Sequence, residues 1–133
     1  MKTYLDTGVL ITAFRVNGEA GQRAMKVLDD PSRRFVSSVF VKLETLPKTI
    51  YYKNSIEQAF YQTFFDAVTY WSSDLAGINA EAHRVASKYG LAAMDALHIA
   101  AALSIEAEEF ITTEKLTKPM FRVSEIKVTP LLL

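Results

Sequence analysis

Three observations predict an α/β fold built on a central parallel sheet. Short strand-like runs alternate with helical stretches along the whole sequence, and strands separated by helices pair in parallel with helices on both faces. At 133 residues the chain has the length of one domain, enough to bury roughly two-thirds of its unfolded surface around one core. No repeat, low-complexity tract or linker divides it, so residues 1–133 read as a single domain.

The elements follow in order. Residues 3–5 form the first strand, ending at Asp6, and Thr7 is placed to cap a short apolar helix through Val9, Leu10, Ile11 and Phe14. Asn17-Gly18 and Gly21 mark a loop, after which residues 22–28 read as a helix closed by Asp29-Asp30-Pro31. Residues 34–37 are the second strand. Ser38 then caps a helix with the apolar stripe Val39, Leu43 and Leu46, which Pro47 should kink or end. Asn54-Ser55 opens a long helix to about residue 67, with Ile56, Ala59, Phe60, Phe64 and Ala67 on one face. Residues 68–71, β-branched and aromatic, suit a short strand. Asn79 is a cap for a helix to Lys88, with Gly90 at its C-terminal end. Residues 93–107 are a helix rich in alanine and leucine, and residues 110–113 and 126–128 are the remaining strands. Strand order is not legible from one sequence.

Bulk composition narrows the function. Fifteen basic and fifteen acidic residues cancel, so any nucleic acid has to be gripped by a local patch and not by overall charge. With no cysteine there are no disulfides, thiolate metal sites or cysteine nucleophiles. The N-terminus reaches Asp6 too soon for a signal-peptide core, and no stretch approaches the ~18 apolar residues of a membrane span. A cytoplasmic protein with no membrane association is expected.

In open parallel sheets, ligands sit beyond the carboxyl ends of the strands. That rule singles out Asp6, directly after the first strand, and Glu114, directly after the strand at residues 110–113. Two further acids lie within apolar stretches: Glu44 between Leu43 and Leu46, and Asp95 at the head of a nearly all-apolar run to Leu103. A lone buried carboxylate costs several kcal/mol or takes up a proton, and the cost falls where several acids share a cation. Ordinary roles compete in each case. Asp95 is also placed to cap a helix, Glu44 to lie on a helix surface, Asp6 to make a turn and Glu114 to be a loop charge. The run Glu106, Glu108 and Glu109 reads as a solvated helix end.

Four segments together resemble the motifs of PIN domains, and among them the bacterial toxin type called VapC-like. They are Tyr4-Leu5-Asp6-Thr7, Glu44 in its Ser-Val-Phe-Val-Lys-Leu-Glu context, Asp95-Ala96-Leu97-His98-Ile99-Ala100, and Phe110-Ile111-Thr112-Thr113-Glu114. The resemblance spans residues 2 to about 130, and residues 95–103 are its most specific part. It implies a three-layer α/β/α sandwich with a central parallel sheet, and metal-dependent cleavage of RNA within a homodimer. Carried over by motif, Asp6, Glu44 and Asp95 match the metal-binding acids. Glu114 stands where the family more often has aspartate, and Gly8 stands where a polar residue is frequent. A small antitoxin that masks the site is the partner the resemblance implies.

A site of carboxylate oxygens selects hard cations, Mg²⁺ or Mn²⁺, and without metal at least one of several close carboxylates should have a raised pKa. Thr7 and Thr113 place hydroxyls beside the acids, to orient carboxylates or phosphate. Of Lys42, Lys48, Lys53, Lys115 and Lys118, the two that closely follow proposed ligands, Lys48 and Lys115, are the expected phosphate contacts. Tyr51 and Tyr52 are candidates for stacking on bases or for packing. His98 reads as a packed or hydrogen-bonded histidine, and the aromatic stripe Phe60, Tyr61, Phe64, Phe65 and Trp71 as core or dimer interface. An aspartate-nucleophile phosphatase is excluded by Gly8, where a second aspartate is required. The remaining alternative is a catalytically weak RNA-binding or protein-interaction module on the same fold.

Overall fold

The computed structural model describes residues 1–132. Five parallel strands form one sheet in the order β3-β2-β1-β4-β5: β1 (Lys2–Leu5), β2 (Arg34–Ser38), β3 (Tyr70–Ser72), β4 (Glu109–Thr112) and β5 (Lys127–Pro130). Six α-helices flank it: α1 (Thr7–Arg15), α2 (Glu19–Leu28), α3 (Val39–Tyr51), α4 (Ser55–Ala67), α5 (Leu75–Tyr89) and α6 (Ala93–Ser104). A short 3₁₀ turn, Pro119–Arg122, precedes β5. The parallel α/β class read from the sequence is the observed one.

The central pair of strands is apolar on both faces. Tyr4, Leu5, Phe110 and Ile111 are essentially inaccessible to water, as expected of a sheet covered on both sides. Tyr4 pairs with Phe110 across β1 and β4, and their rings stack with centroids 5.2 Å apart. On one side α6 packs onto β2 and β3, with α5 against α6; α1 lies against β1 and β4 and touches α2, α3 and α4. The alanines of α6 (Ala96, Ala100, Ala101 and Ala102) are buried, and their small side chains let the helix come close to the sheet. None of the helices among the described residues is long and apolar enough to cross a membrane.

Several boundaries differ from expectation, each for a local reason. The N-cap of α1 is Asp6, not Thr7: its side chain accepts the Thr7 N–H. Ser38 occupies the N-cap position of α3 but makes no capping hydrogen bond there. Pro47 neither ends nor replaces α3, which continues to Tyr51. The carbonyl that loses its partner belongs to Leu43, one turn back, and both Leu43 and Pro47 are exposed, so water can serve it. On α4 the buried positions are Glu57, Tyr61, Phe64 and Phe65, while Ile56, Ala59 and Ala67 are exposed. Glu57 faces inward because Arg15, Tyr61 and Asn54 all donate to its carboxylate. Helix α5 starts at Leu75, capped by Asp74 accepting from Gly77 N–H, ahead of the expected Asn79. Gly90 closes it in the left-handed region at φ 70°. Helix α6 stops at Ser104, and β4 begins and ends one residue earlier than expected. Glu109 is therefore in β4 and buried, not part of a solvated helix end.

Candidate active site

The carboxyl ends of β1 and β4 lie side by side, so the residues that follow them are neighbours. Asp6 leaves β1 with its N–H donating to the Ile111 carbonyl (2.9 Å). Both of its oxygens are fixed: Oδ1 accepts from Thr7 N–H (2.8 Å) and Oδ2 from the Thr112 hydroxyl (2.9 Å). Thr112 is fully buried and also accepts the Glu114 N–H (3.1 Å), so one hydroxyl ties the first acid to the loop that carries the last. The expected hydroxyl here was that of Thr113, but Thr113 is exposed. Because β4 ends at Thr112, Thr112 takes the inward place. Thr113 lies against Gly8, where an added Cβ would stand 2.2 Å from its hydroxyl oxygen.

Glu44 comes from α3 and Asp95 from the first turn of α6. Glu44 Oε1 accepts from the Thr7 hydroxyl (2.8 Å) and lies 2.5 Å from His98 Nε2. The hydrogen bond from His98, then that from Thr7, outweigh the cost of burial and hold the Glu44 carboxyl below the ordinary glutamate range. Asp95 is the opposite case. It has no hydrogen-bond partner among the described residues, and α6 has no side-chain cap, so the capping role for Asp95 is not realised. Burial pushes its carboxyl up, and the charges of Asp6 and Glu114 push it further, against a smaller pull from His98 and Lys118.

That pattern places Asp6, Asp95 and Glu114 in one electrostatic field, and no basic side chain pairs with any of the three among the described residues. Glu44 joins through Tyr4, whose hydroxyl feels both Asp6 and Glu44 after its own burial. Every acidic donor is an oxygen, the chemistry that suits Mg²⁺ or Mn²⁺. No group of three His, Asp or Glu side chains among the described residues forms a ready-made metal cage. Mg²⁺ usually keeps several waters, so one or two of these carboxylates would touch such an ion and the others would reach it through its water shell. The donor set fits such an ion.

The proposed basic contacts separate. Lys48, one turn beyond Glu44, bears on the Glu44 carboxylate, and with Arg15, Thr49, Tyr52, Asn54 and Glu57 it lines a cleft of about 370 Å³. Lys115 is exposed beside Glu114, while the lysine whose charge reaches Asp95 is Lys118. Lys42 turns away, with its ammonium 4.5 Å from the centre of the Trp71 ring. Tyr51 and Tyr52 are both exposed, not packed. Sequence reasoning missed Thr112, Tyr4 and Ser38. The parallel register of β1 and β4 is the only signal that could have found Thr112.

The family model of the PIN domain matches residues 3–116. No curated protein matches the chain in sequence. Among solved structures, a toxin–antitoxin complex from Klebsiella pneumoniae contains a chain with TM-score 0.75 and 19% identity, over 97% of both chains. VapBC-1 from nontypeable Haemophilus influenzae matches with TM-score 0.71 and 20% identity over 100% of both. VapBC2 from Rickettsia felis, bound to a DNA fragment from its promoter, matches with TM-score 0.71 and 15% identity over 98% of both.

Proposed function

The chain belongs to the PIN domain family, and from that premise we propose that it is a toxin-type endoribonuclease. It hydrolyses RNA phosphodiester bonds with Mg²⁺ or Mn²⁺ held by Asp6, Glu44, Asp95 and Glu114. The observation that carries this reading is the Asp95 carboxyl, raised by burial and by Asp6 and Glu114, with only the weaker pull of His98 and Lys118 against it and no ion-pair partner among the described residues. A cluster of like charges is costly to fold, and a divalent cation is what such a cluster is built to receive.

Asp6, Glu44, Asp95 and Glu114 would hold the ion, which would supply Lewis-acid polarisation of a phosphoryl oxygen and a more acidic water. Thr7 N–H and Thr112 hold the two oxygens of Asp6, and the Thr7 hydroxyl with His98 holds Glu44, so these two acids are oriented before anything binds. Asp95, without such partners, is the acid free to adjust. Lys48 and Lys115 flank the acids and meet the phosphates on either side, with Thr113 as a further hydroxyl donor. The Lys48 cleft, with Tyr52 at its edge, offers a neighbouring nucleotide a face to stack on.

The toxin–antitoxin neighbours support a cytoplasmic protein with an antitoxin as cognate partner. The exposed apolar side chains Val39, Leu43, Ile50, Ile56 and Leu75, on α3, α4 and the start of α5, support a homodimer. The test is cleavage of a panel of labelled RNAs with Mn²⁺, Mg²⁺ or chelator, beside Asp6→Ala and Asp95→Ala. Cutting that needs metal and is lost in both folded variants is expected; cutting that survives both overturns the mechanism. A catalytically weak binding module is the second reading, favoured by the lack of a ready-made cage. Its signature is Mn²⁺ and RNA binding without turnover.

A further inference from the structure

Beneath the acids runs a buried polar chain assembled from three elements. The Ser38 hydroxyl, at the end of β2, is 2.7 Å from the Tyr4 hydroxyl of β1. The Tyr4 hydroxyl is 2.8 Å from His98 Nδ1 on α6, and His98 Nε2 is 2.5 Å from Glu44 Oε1. Ser38, Tyr4 and His98 are all at least 98% buried. Most polar groups this deep are hydrogen-bonded, and these three satisfy one another. Ser38 even forgoes the capping bond at the head of α3 in favour of Tyr4.

The chain has a direction. Because Nε2 faces a carboxylate, it is the protonated nitrogen and donates. With the second hydrogen bond from Thr7, Oε1 of Glu44 is taken by two donors, whereas Oε2 has no partner among the described residues. Asp95 lies one turn before His98 on the same helix. One segment of α6 therefore delivers one acid and grips another.

We propose that His98 is a positioning residue, held by Tyr4 and Ser38, that fixes Glu44 so that Oε2 alone is presented to the cation. The proposal rests on the carboxylate metal-site reading above and adds which oxygen acts and what aims it. In this role His98 neither touches substrate nor takes its proton.

The experiment measures Mn²⁺ affinity by the loss of its free electron-resonance signal, with thermal melting alongside, for wild type, His98→Leu, His98→Gln, Tyr4→Phe and Asp6→Ala. His98→Leu should weaken Mn²⁺ binding about 10–100-fold, the range for lost partners of metal ligands. His98→Gln, whose amide can still donate to Oε1, should recover most of that loss. Tyr4→Phe keeps the ring and its stack on Phe110 and should give a smaller weakening. A folded His98→Leu that binds Mn²⁺ as tightly as wild type overturns the positioning role while the metal site stands. If His98→Leu fails to fold, Tyr4→Phe decides, and unchanged Mn²⁺ affinity there overturns the relay. A wild type that binds no Mn²⁺ overturns the metal-site reading and this proposal together.

Discussion

The two ends of strands β1 and β4 treat carboxylates in opposite ways. At their N-terminal ends, where Thr3 pairs with Glu109, the buried Glu109 accepts from Arg33 (2.7 Å) and from the Thr129 hydroxyl (2.5 Å). Arg33 is itself held by Thr3 and Asp30. Burial raises the Glu109 carboxyl, yet these bonds override it and leave it below the ordinary range. At the carboxyl ends, Asp95 feels the charges of Asp6 and Glu114 and has no ion-pair partner among the described residues, and its carboxyl is raised. One end solves the problem of a buried acid within the chain; the other leaves it unsolved. The acid tied into the fold and the acids proposed to hold an ion thus sit at opposite ends of the same two strands.

The sharpest way to break this contrast is Asp95→Asn. RNA cleavage should fall by two to three orders of magnitude, about 3–4 kcal/mol at the transition state, while metal-free melting temperature stays the same or rises. A melting temperature that falls well below wild type would mean that Asp95 is structural. Next in size, Glu109→Ala should cost about 3 kcal/mol of stability, because it strands a largely buried Arg33. Urea unfolding measures it, and cleavage per folded molecule should be unchanged at low temperature. Glu114→Lys imports into the functional end the solution used at the other. It should weaken Mn²⁺ binding at least about tenfold and bring a small rise in metal-free stability. Equal Mn²⁺ affinity by calorimetry would remove Glu114 from the ligand set.

The smallest effect is in pH dependence, and the two ends differ in sign. The folded chain holds the Asp95 proton more tightly than the unfolded chain. Stability therefore falls as pH rises from about 3.9, the ordinary aspartate value, through the raised folded one. Glu109 contributes fully above about 4.3, the ordinary glutamate value, and its contribution is lost as pH falls through its lower folded one. Urea midpoints at about pH 3, 5 and 7 should show Asp95→Asn flattening the first slope and Glu109→Gln the second.

The fold class was legible because strand runs and helix runs differ in residue type and period, and the site was framed by one rule about strand ends. Asp6 and Glu114 are singled out that way. What stayed hidden depends on partners distant in sequence. Glu109 looked like the third acid of a solvated run until Arg33 and Thr129 were brought against it. The buried face of α4 was misplaced because Glu57, an acid, points inward to Arg15. Thr112 is hidden beside Thr113 because β4 ends one residue earlier than its composition suggests, and a strand shifted by one turns every side chain over. Tyr4 and Ser38 each look like ordinary strand or cap residues, and only their convergence on His98 gives them a shared task.

The close approach of Gly8 to Thr113 bears on how this sequence can change. A methyl group at position 8 would collide with the Thr113 hydroxyl, so a polar side chain there demands prior loss or rotation of that hydroxyl. The two positions form an epistatic pair: Gly8→Ser is expected to be harmful alone and tolerated after Thr113→Gly. A polar residue at position 8 is therefore reached through a change at position 113 first and not directly. A mutagenesis library that varies position 8 alone will report it as intolerant, when the constraint lies in its partner at position 113.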